Sequence, residues 1–505
     1  MTGSRLASLF SLYLLVAIMV SEIECEGQTA SKYIFNYSPE IIHSGEAVYS
    51  VTADQEGILY FAISSGVLVY DGEAWRVFSE AGDSRSVEYD QQTGRIYVGG
   101  LGTFGYYEKD AERMYRYTDL SRDIRVQHPF KQVWQIVFIN DEVRFISNEG
   151  HYVLYQDSIV TRPIKNAYIF KAGKEIYFSD YEGTLSVLNN DSLTRVFNQT
   201  VNKDAAFNVL PINDLQHLIL YPWAGAVIRD LEKSTIIPAS VELNKMIKKF
   251  GHYYSLMLPG GFLAIGSWED GVFILDTDGN VIEKFDVQSG LSSGGAYDMH
   301  LDSSGKLWLA MDYGVSLIDL KSAMPDLNFD GLPPGRSLIT SVSSNLSSER
   351  FPAHQGDTVL IKGNLDYLQI NFSTPGNEYF TNHTYTYRLE GFDSVWTETT
   401  ESSAKYLSVP NGTYLFRVKS IEPGVVEGNI FIQVHEPWYL FLAGPPGYLI
   451  GIFLLGGLMA GTLLMRSRFA RKKLTSLVNE KTKEIEKHQK ELLIINQNLS
   501  EIMMN

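Results

Sequence analysis

Between residues 49 and 320 one pattern returns about every 40 residues: an apolar strand, a turn rich in Asp and Gly, a second apolar strand, a short polar turn and a further strand. Seven copies centre on ILYFAISSGVLVYD (58–71), RIYVGGLGTFGYYEKD (95–110), VRFISNEGHYVLYQD (143–157), EIYFSDYEGTLSVL (175–188), LILYPWAGAVIRD (218–230), FLAIGSWEDGVFILD (262–276) and LWLAMDYGVSLID (307–319). No helical period separates them. A strand-only repeat of this length is the signature of a β-propeller with four strands per blade. One such unit has two faces to cover and cannot bury both alone, whereas stacking around an axis covers them and leaves only short edges. The last copy lacks a fourth strand before Pro325, while the β-prone KYIFNY (32–37) precedes the first. That segment is expected to close the ring as the outer strand of the last blade.

After Pro333-Pro334-Gly335 the period changes. Short strands are expected at 338–342, 358–362, 367–372, 384–389, 405–409, 413–418 and 429–434, a density that suggests an immunoglobulin-like β-sandwich. Residues 447–465, GYLIGIFLLGGLMAGTLLM, carry no charge and are long enough to cross a hydrocarbon core of about 30 Å. Trp438 and Tyr439 stand before this run, and Arg466, Arg468, Arg471, Lys472 and Lys473 follow it with no acid among them. The excess of cations places that end in the cytoplasm. Beyond it, Val478, Ile485, Leu492, Ile495, Leu499 and Ile502 recur in steps of three and four, with Lys481 and His488 in the same seam. This predicts a parallel coiled coil and hence a homodimer, the alternative being one amphipathic helix on the membrane. At the other end, Arg5 and the apolar run 6–20 mark residues 1–27 as a secretory signal. Glu22-Ile23-Glu24 before Cys25 is unlike a lipidation motif.

Composition closes several routes. A net charge of -17 argues against nucleic acid as a partner. The single cysteine, Cys25, allows no intrachain disulfide and no thiolate metal cluster, which favours a bacterial envelope protein held by core packing. Gly100, Gly102 and Gly105 spell a dinucleotide fingerprint, but strand leads to strand there, so a tight hairpin is expected. Asp276-Thr277-Asp278-Gly279-Asn280 imitates a calcium loop, yet Val281 and Val287 fall where glycine and glutamate are needed. His488 is followed by Gln489 rather than an acid and reads as a seam residue. No catalytic constellation or cofactor motif emerges, so neither an enzyme nor a cofactor is expected.

The turn between the two apolar strands of each copy should fall on one face of the ring. Those turns supply Asn148 and Glu149; Asp180, Tyr181 and Glu182; Trp223; Trp268, Glu269 and Asp270; and Asp312 and Tyr313. Aromatic rings stack on sugar faces and carboxylates accept hydroxyl hydrogen bonds. Tyr181, Glu182, Trp223, Trp268, Glu269, Asp270, Asp312 and Tyr313 are therefore the candidate contacts for an extracytoplasmic ligand, an oligosaccharide by this chemistry. The competing reading is ordinary polar turns.

The wording of the repeats adds a resemblance. GKLWLAMDYGVSLID and GFLAIGSWEDGVFILD resemble the two-component regulator propeller repeat. The stretch YTYRLEGFDSVWTETTESSAKYLSVPNGTYLFRVKS resembles the triple-tyrosine (Y_Y_Y) domain, with Tyr387, Leu389, Gly391, Asp393, Trp396, Tyr406, Gly412, Tyr414, Phe416 and Val418 in register. Bottom-up, Trp396 and the tyrosines are core and sheet residues. The resemblance implies a bacterial sensor, in which this domain lies between propeller and membrane. Full members of that family continue into an output module. No such module is read here, so the expectation is either a separate cytoplasmic output protein or a truncated gene product.

The expected class is thus mainly β: a seven-bladed β-propeller followed by an Ig-like β-sandwich, one transmembrane helix and a C-terminal coiled coil. The layout is signal 1–27, propeller 32–320, linker 321–337, sandwich 338–436, membrane helix 447–465 and coiled coil 466–505. The expected function is a transmembrane signalling receptor of the bacterial inner membrane, its N-terminal part periplasmic. The alternative is a membrane-anchored propeller enzyme or binding protein acting on polysaccharide, which as an enzyme needs paired carboxylates about 5–10 Å apart.

Overall fold

The structure, a computed structural model, describes residues 32–37, 42, 46–110, 114–162, 166–180, 182–189, 192–196, 205–346, 348–349, 356–363, 365–375, 383–422, 424–435 and 445–503. The expected signal segment, Tyr181, Trp438 and Tyr439 lie outside the described residues.

The repeat folds into seven four-stranded antiparallel sheets. Sheets 1 to 6 each take four strands in sequence order, over residues 48–78, 84–119, 133–162, 166–195, 208–238 and 254–285. Sheet 7 takes three strands from residues 296–319, and its outer strand is Ile34–Tyr37, with Ile34 opposite Ile318 and Tyr37 opposite Val315. The N-terminal segment therefore occupies the place its β-prone sequence suggested. First strands of neighbouring sheets touch in series, and Val48–Ala53 of sheet 1 meets Ala296–Leu301 of sheet 7. The arrangement is propeller-like.

Burial follows from this stacking. Second and third strands are covered on both faces: Leu59–Ile63, Gly66–Tyr70, Lys306–Met311 and Val315–Asp319 are buried at every residue. Such strands read as continuous apolar runs, which is why the repeat was visible. Fourth strands lie at the rim and are more open to solvent; Ser158–Arg162 alternates between exposed and half-buried residues, and Ser192–Arg195 is exposed throughout. Between sheets 7 and 1, Tyr37, Trp308, Tyr70, Leu59 and Phe61 form one apolar layer.

Besides the one-turn helices Ile124–Gln127 and Leu320–Ala323, one longer element departs from the strand-only expectation. Between sheets 5 and 6 the chain forms a helix, α1 (Val241–Phe250). Ser240 Oγ accepts the Leu243 amide at 3.1 Å as N-cap. Leu243, Met246 and Ile247, at helical spacing, are buried against sheets 5 and 6. Ten residues of amphipathic pattern were submerged in a repeat dominated by strands.

The following region forms two sheets. One has four strands in the order Ser348–Glu349, Leu338–Ser344, Tyr367–Ser373, Ser403–Leu407; the other has five, Asp357–Lys362, Gly428–His435, Gly412–Ser420, Tyr385–Glu390, Thr397–Thr399. All seven expected strands are present, with two short additions. Leu368, Ile370 and Phe372 of one sheet and Leu389, Phe416, Val418, Ile430 and Ile432 of the other are wholly buried. Five of the ten marker residues are buried: Leu389, Tyr406, Tyr414, Phe416 and Val418. Phe372, Tyr387 and Tyr406 each lie with ring centroids 5.9–6.5 Å from a neighbouring marker ring, and Asp393 accepts hydrogen bonds from the Leu389 amide (2.7 Å) and the Tyr406 hydroxyl (2.9 Å). Trp396 differs from the expectation of a core residue. It is half-buried on the outer face of the sheet, where Arg417 and Lys419 lie 5.4 and 5.3 Å from its ring.

This pair of sheets docks on the turns of sheet 1. Leu338 enters the apolar layer between sheets 1 and 2. Ser373 Oγ donates to the Asp71 carbonyl at 2.9 Å, and Thr340 Oγ1 donates to Glu73. Gly72 makes the approach possible: a Cβ there would fall 2.6 Å from Ser373 Oγ and 3.0 Å from Pro375 Cα.

A second compact unit, residues 361–364 and 434–505, consists mainly of helix α2 (Pro445–Met503). It runs 59 residues without a break through both the apolar run and the heptad region. It is the one described helix long and apolar enough to cross a membrane.

Candidate functional site

The first strand of each sheet faces the axis, and a recurrent irregularity shapes its start. The pairing register slips by one residue between Val48/Ser50, Ser84/Ser86, Val133/Gln135, Asn166/Tyr168 and Ala296/Asp298. A bulge re-aims the extra side chain. The residues at or beside these slips are Tyr49, Arg85, Trp134, Tyr168 and Tyr297. Phe207 and Tyr253 stand at the matching points of sheets 5 and 6, where their amides bond Leu220 O and Gly266 O at 2.9 Å.

These side chains meet in series across sheet boundaries. Ring centroids lie 5.9 Å apart for Trp134–Tyr168, 5.0 Å for Tyr168–Phe207, 6.1 Å for Phe207–Tyr253, 4.8 Å for Tyr253–Tyr297 and 6.3 Å for Tyr297–Tyr49. The Arg85 guanidinium sits 4.0 Å over Tyr49. Contacts from sheet to sheet require that the rings surround the axis, so they form a collar at one mouth of the central channel. Every member is partly exposed. Concave aromatic surfaces with a few polar groups are the usual chemistry of small-molecule sites.

Directly behind the collar the same strands stitch neighbouring sheets together. Asn208 Nδ2 donates to Ser255 O at 2.8 Å, Gln135 Nε2 donates to Ile169 O at 2.8 Å, and Asp298 Oδ2 accepts the Val51 amide at 2.9 Å. Three ionisable groups point inward at this level: Glu88 of sheet 2, Asp298 of sheet 7 and Tyr254 of sheet 6. Burial, with Asp298 nearby, pushes the Glu88 carboxyl up to about 8. Burial raises Asp298 to about 6. Tyr254 is raised by burial and by both carboxylates. Glu88 accepts one long hydrogen bond, 3.5 Å from Thr52 Oγ1.

The residues singled out from sequence divide into groups. Trp223 and Trp268 come together, stacked with centroids 6.5 Å apart, and Trp268 meets the collar through Tyr253 at 4.5 Å. They share the close approach of Gly251, φ +73°, where a Cβ would fall 2.5 Å from Trp268 and 2.8 Å from Trp223. Trp268 Nε1 also donates to His252 O at 3.2 Å. The His252 ring is fully buried, neither nitrogen has a hydrogen-bond partner among the described residues, and burial lowers it to about 3. Asp312 lies at the rim, its amide bonded to Gly295 O at 3.1 Å and its charge acting on Tyr297. Glu182, Glu269 and Tyr313 are exposed turn residues with no contact to the collar shown. Asp270 forms an ion pair with Lys284 at 2.8 Å, and Lys284 also holds Asp286 at 2.9 Å. Asn148 and Glu149 lie in a turn organised by Ser147 Oγ, which accepts the Glu149 amide at 3.2 Å.

The collar and Glu88 were missed from sequence. Each collar residue reads as one more residue at the start of an alternating strand; in five sheets a slip re-aims the strand start, whereas Phe207 and Tyr253 stand just ahead of theirs. A signal exists in hindsight: an aromatic or Arg at the start of the first strand, ahead of a small or polar residue, as in Tyr49-Ser50, Arg85-Ser86, Trp134-Gln135, Phe207-Asn208 and Tyr297-Asp298. Two other features also resolve as ordinary structure. Gly100–Gly105 is a hairpin between Ile96–Gly100 and Phe104–Lys109, and Asp276 caps a turn, its Oδ1 accepting the Asn280 amide at 2.8 Å.

At the far end of the channel strands, a cavity of 850 Å³ is lined by His300, Asp302, Lys306, Arg336, Pro375 and Glu422, among others. It lies between the ring and the loops of the two-sheet region.

Residues 377–432 match the Y_Y_Y domain, so the chain carries one. Among solved structures, it is similar to the extracellular domain of the hybrid two component system BT3049 from B. thetaiotaomicron, with 14% identity over 80% of this chain and 58% of that one, TM-score 0.47. It is also similar to the extracellular domain of the one component system BT4673 from B. thetaiotaomicron (12% identity, 81% and 60%, TM-score 0.46) and to virginiamycin B lyase from Staphylococcus aureus (10%, 56% and 98%, TM-score 0.44). The chain spans about 60% of the length of the two extracellular domains. No curated protein matches it.

Proposed function

We propose that this chain is the ligand-sensing part of a bacterial single-pass signalling receptor. In this reading the seven sheets are the blades of one β-propeller over residues 32–320, a linker at 321–337 leads to an Ig-like Y_Y_Y sandwich at 338–436, and the whole is periplasmic. Residues 447–465 span the inner membrane, and 466–505 form a cytoplasmic coiled coil that pairs two copies and addresses a separate output protein. The ligand is an oligosaccharide held at the collar, with Trp223, Trp268 and Asp312 at its rim. Glu182, Glu269 and Tyr313 extend the same face outward. The site binds its ligand without cleaving it, since Asp270 is committed to Lys284 and is not free to act with Asp312.

The observation that carries this reading is the collar itself. Partly exposed aromatics gathered from six sheets leave apolar surface open to water at the axis, which a protein without a ligand for it has reason to bury. The channel strand Val48–Ala53 carries Tyr49 at one end, and its sheet bears the Y_Y_Y region on Asp71 and Glu73. A change at the collar thus has a short packed route to the sandwich.

The test uses the full chain in lipid nanodiscs with Cys25→Ser and Val478→Cys. A sensed oligosaccharide at about 100 times its Kd must stabilise the native state by about 2.7 kcal/mol, and must also change the rate of Val478→Cys crosslinking. A ligand that raises the melting point without altering crosslinking reduces the chain to a binding protein. A panel of oligosaccharides that does neither defeats the reading.

A further inference from the structure

We propose that the channel site takes a ligand bearing a protonated amine, an amino sugar with its nitrogen unacylated, and that Glu88 receives the ammonium. This rests on the oligosaccharide reading of the collar and narrows it.

Three observations converge. First, the collar presents π faces, and these attract cations. The chain shows this itself: at the one collar position without an aromatic, Arg85 lays its guanidinium 4.0 Å over Tyr49. That cation is already neutralised by Asp83 at 3.0 Å, so it does not reserve the site for an anion. Second, Glu88 and Asp298 enter the channel from sheets 2 and 7, on either side of strand Val48–Ala53, which touches both: Thr52 Oγ1 bonds Glu88 and the Val51 amide bonds Asp298. Their roles differ. Asp298 is committed to joining sheets 7 and 1. Among the described residues, Glu88 accepts one hydrogen bond, the 3.5 Å contact from Thr52. Third, no Lys, Arg or His among the described residues acts on either carboxyl: besides burial, Glu88 feels the Asp298 charge and the Thr52 hydroxyl, and Asp298 the Val51 and Met299 amides and the Ser50 hydroxyl. A carboxyl so placed keeps its proton, and Glu88 is raised to about 8.

An ammonium supplies what this site lacks. It can lie against the rings and donate to Glu88 in a charge-assisted hydrogen bond, the strong kind. Near neutral pH the Glu88 proton then leaves to buffer as the ion pair forms. A neutral pyranose could stack on the rings but would leave Glu88 protonated and its site unused. A uronate or sulfated sugar would meet two acids in a chain of net charge -17.

The experiment is titration calorimetry on the full chain in nanodiscs at about pH 6.5, where an amine resembling the α-amino group is charged. Three β-1,4-linked tetrasaccharides are compared: glucosamine, N-acetylglucosamine and glucose. The amine form should bind at least about tenfold more tightly, with proton release seen as a dependence of heat on buffer. Glu88→Gln should abolish both the preference and the proton release while leaving weak stacking-driven binding of all three. Equal binding of the neutral sugars, or an amine preference that survives Glu88→Gln, overturns the inference and leaves the oligosaccharide reading standing. Binding of none of the three counts against both. Circular dichroism of Glu88→Gln establishes that the variant is folded.

Discussion

Tyr37 tests whether the seven sheets act as one cooperative ring. It ends the closing strand, is 2% exposed, and its ring lies 4.9 Å from Trp75, 5.5 Å from Trp308 and 5.6 Å from Tyr70. Those partners come from sheets 1 and 7, so Tyr37 packs across the join. An aromatic side chain buries about 150–250 Å², which at about 25 cal/mol per Å² is worth roughly 4–6 kcal/mol as an upper figure. Measured aromatic-to-alanine losses run about 3–5 kcal/mol. Tyr37→Ala should therefore cost about 4 kcal/mol, and Tyr37→Phe less than about 1 kcal/mol. The assay is native-state hydrogen exchange on the full chain in detergent. If closure holds the whole ring, amides that exchange by global opening should speed up about a thousandfold, since each 1.4 kcal/mol is about tenfold. The decisive amides are those of sheet 4, in Glu175–Asp180, across the ring from the join. Acceleration confined to sheets 7 and 1 would refute cooperative closure and leave Ile34–Tyr37 a strand that frays by itself. A loss below about 1 kcal/mol would refute the packing argument.

Three further outcomes are expected. Glu88 holds its proton to about pH 8 when folded but only to 4.5 when unfolded, so the folded state binds more protons and stability falls as pH rises through that window. Glu88→Gln should remove this slope and be more stable than the parent at pH 8 by about 2–4 kcal/mol, allowing for water in the channel; equal urea midpoints at pH 5 and 8 in the parent would disprove it. Asp393→Ala strands the Tyr406 hydroxyl and the Leu389 amide and should cost about 2–3 kcal/mol, against about 1 kcal/mol for Tyr406→Phe, by urea denaturation; the reverse order would show that Asp393 is not the anchor. Gly251→Ala places a methyl 2.5 Å from Trp268 at a positive φ, so it should shift tryptophan emission and cost about 1–3 kcal/mol; an unchanged spectrum would mean that the Trp223–Trp268 pair does not depend on that approach.

What could be read in advance depended on how local each cause was. Strands covered on both faces need unbroken apolar runs, so Leu59–Ile63 or Lys306–Met311 announce themselves in any copy. The closing strand was legible because a missing outer strand at one end had a β-prone candidate at the other. The Y_Y_Y region was legible because aromatic, Gly and Asp positions fell in register. Helix α1 was not, since its apolar spacing spans barely three turns and competes with strand-rich neighbours. Trp396 misled because an indole is usually core, whereas here two cations from the strand Gly412–Ser420 shelter it at the surface. Asp270 looked like a free carboxylate, and only packing brought Lys284, fourteen positions on in the chain, to 2.8 Å.

Sequence alone determined most of the strands, their repeat, the N-terminal segment that pairs last and the run able to cross a membrane, because each follows from side-chain polarity at neighbouring positions. Tertiary structure alone decided the site. A one-residue register slip recurs at the start of the first strand in five of the seven sheets. It turns Tyr49, Arg85, Trp134 and Tyr297 towards a common axis, where they meet residues from other sheets of the ring. Glu88 acquires its unusual proton because packing between sheets buries it and closure of the ring carries Asp298 towards it. Polarity patterns specify which face of a strand is buried; they do not specify which residues from distant strands converge at the centre.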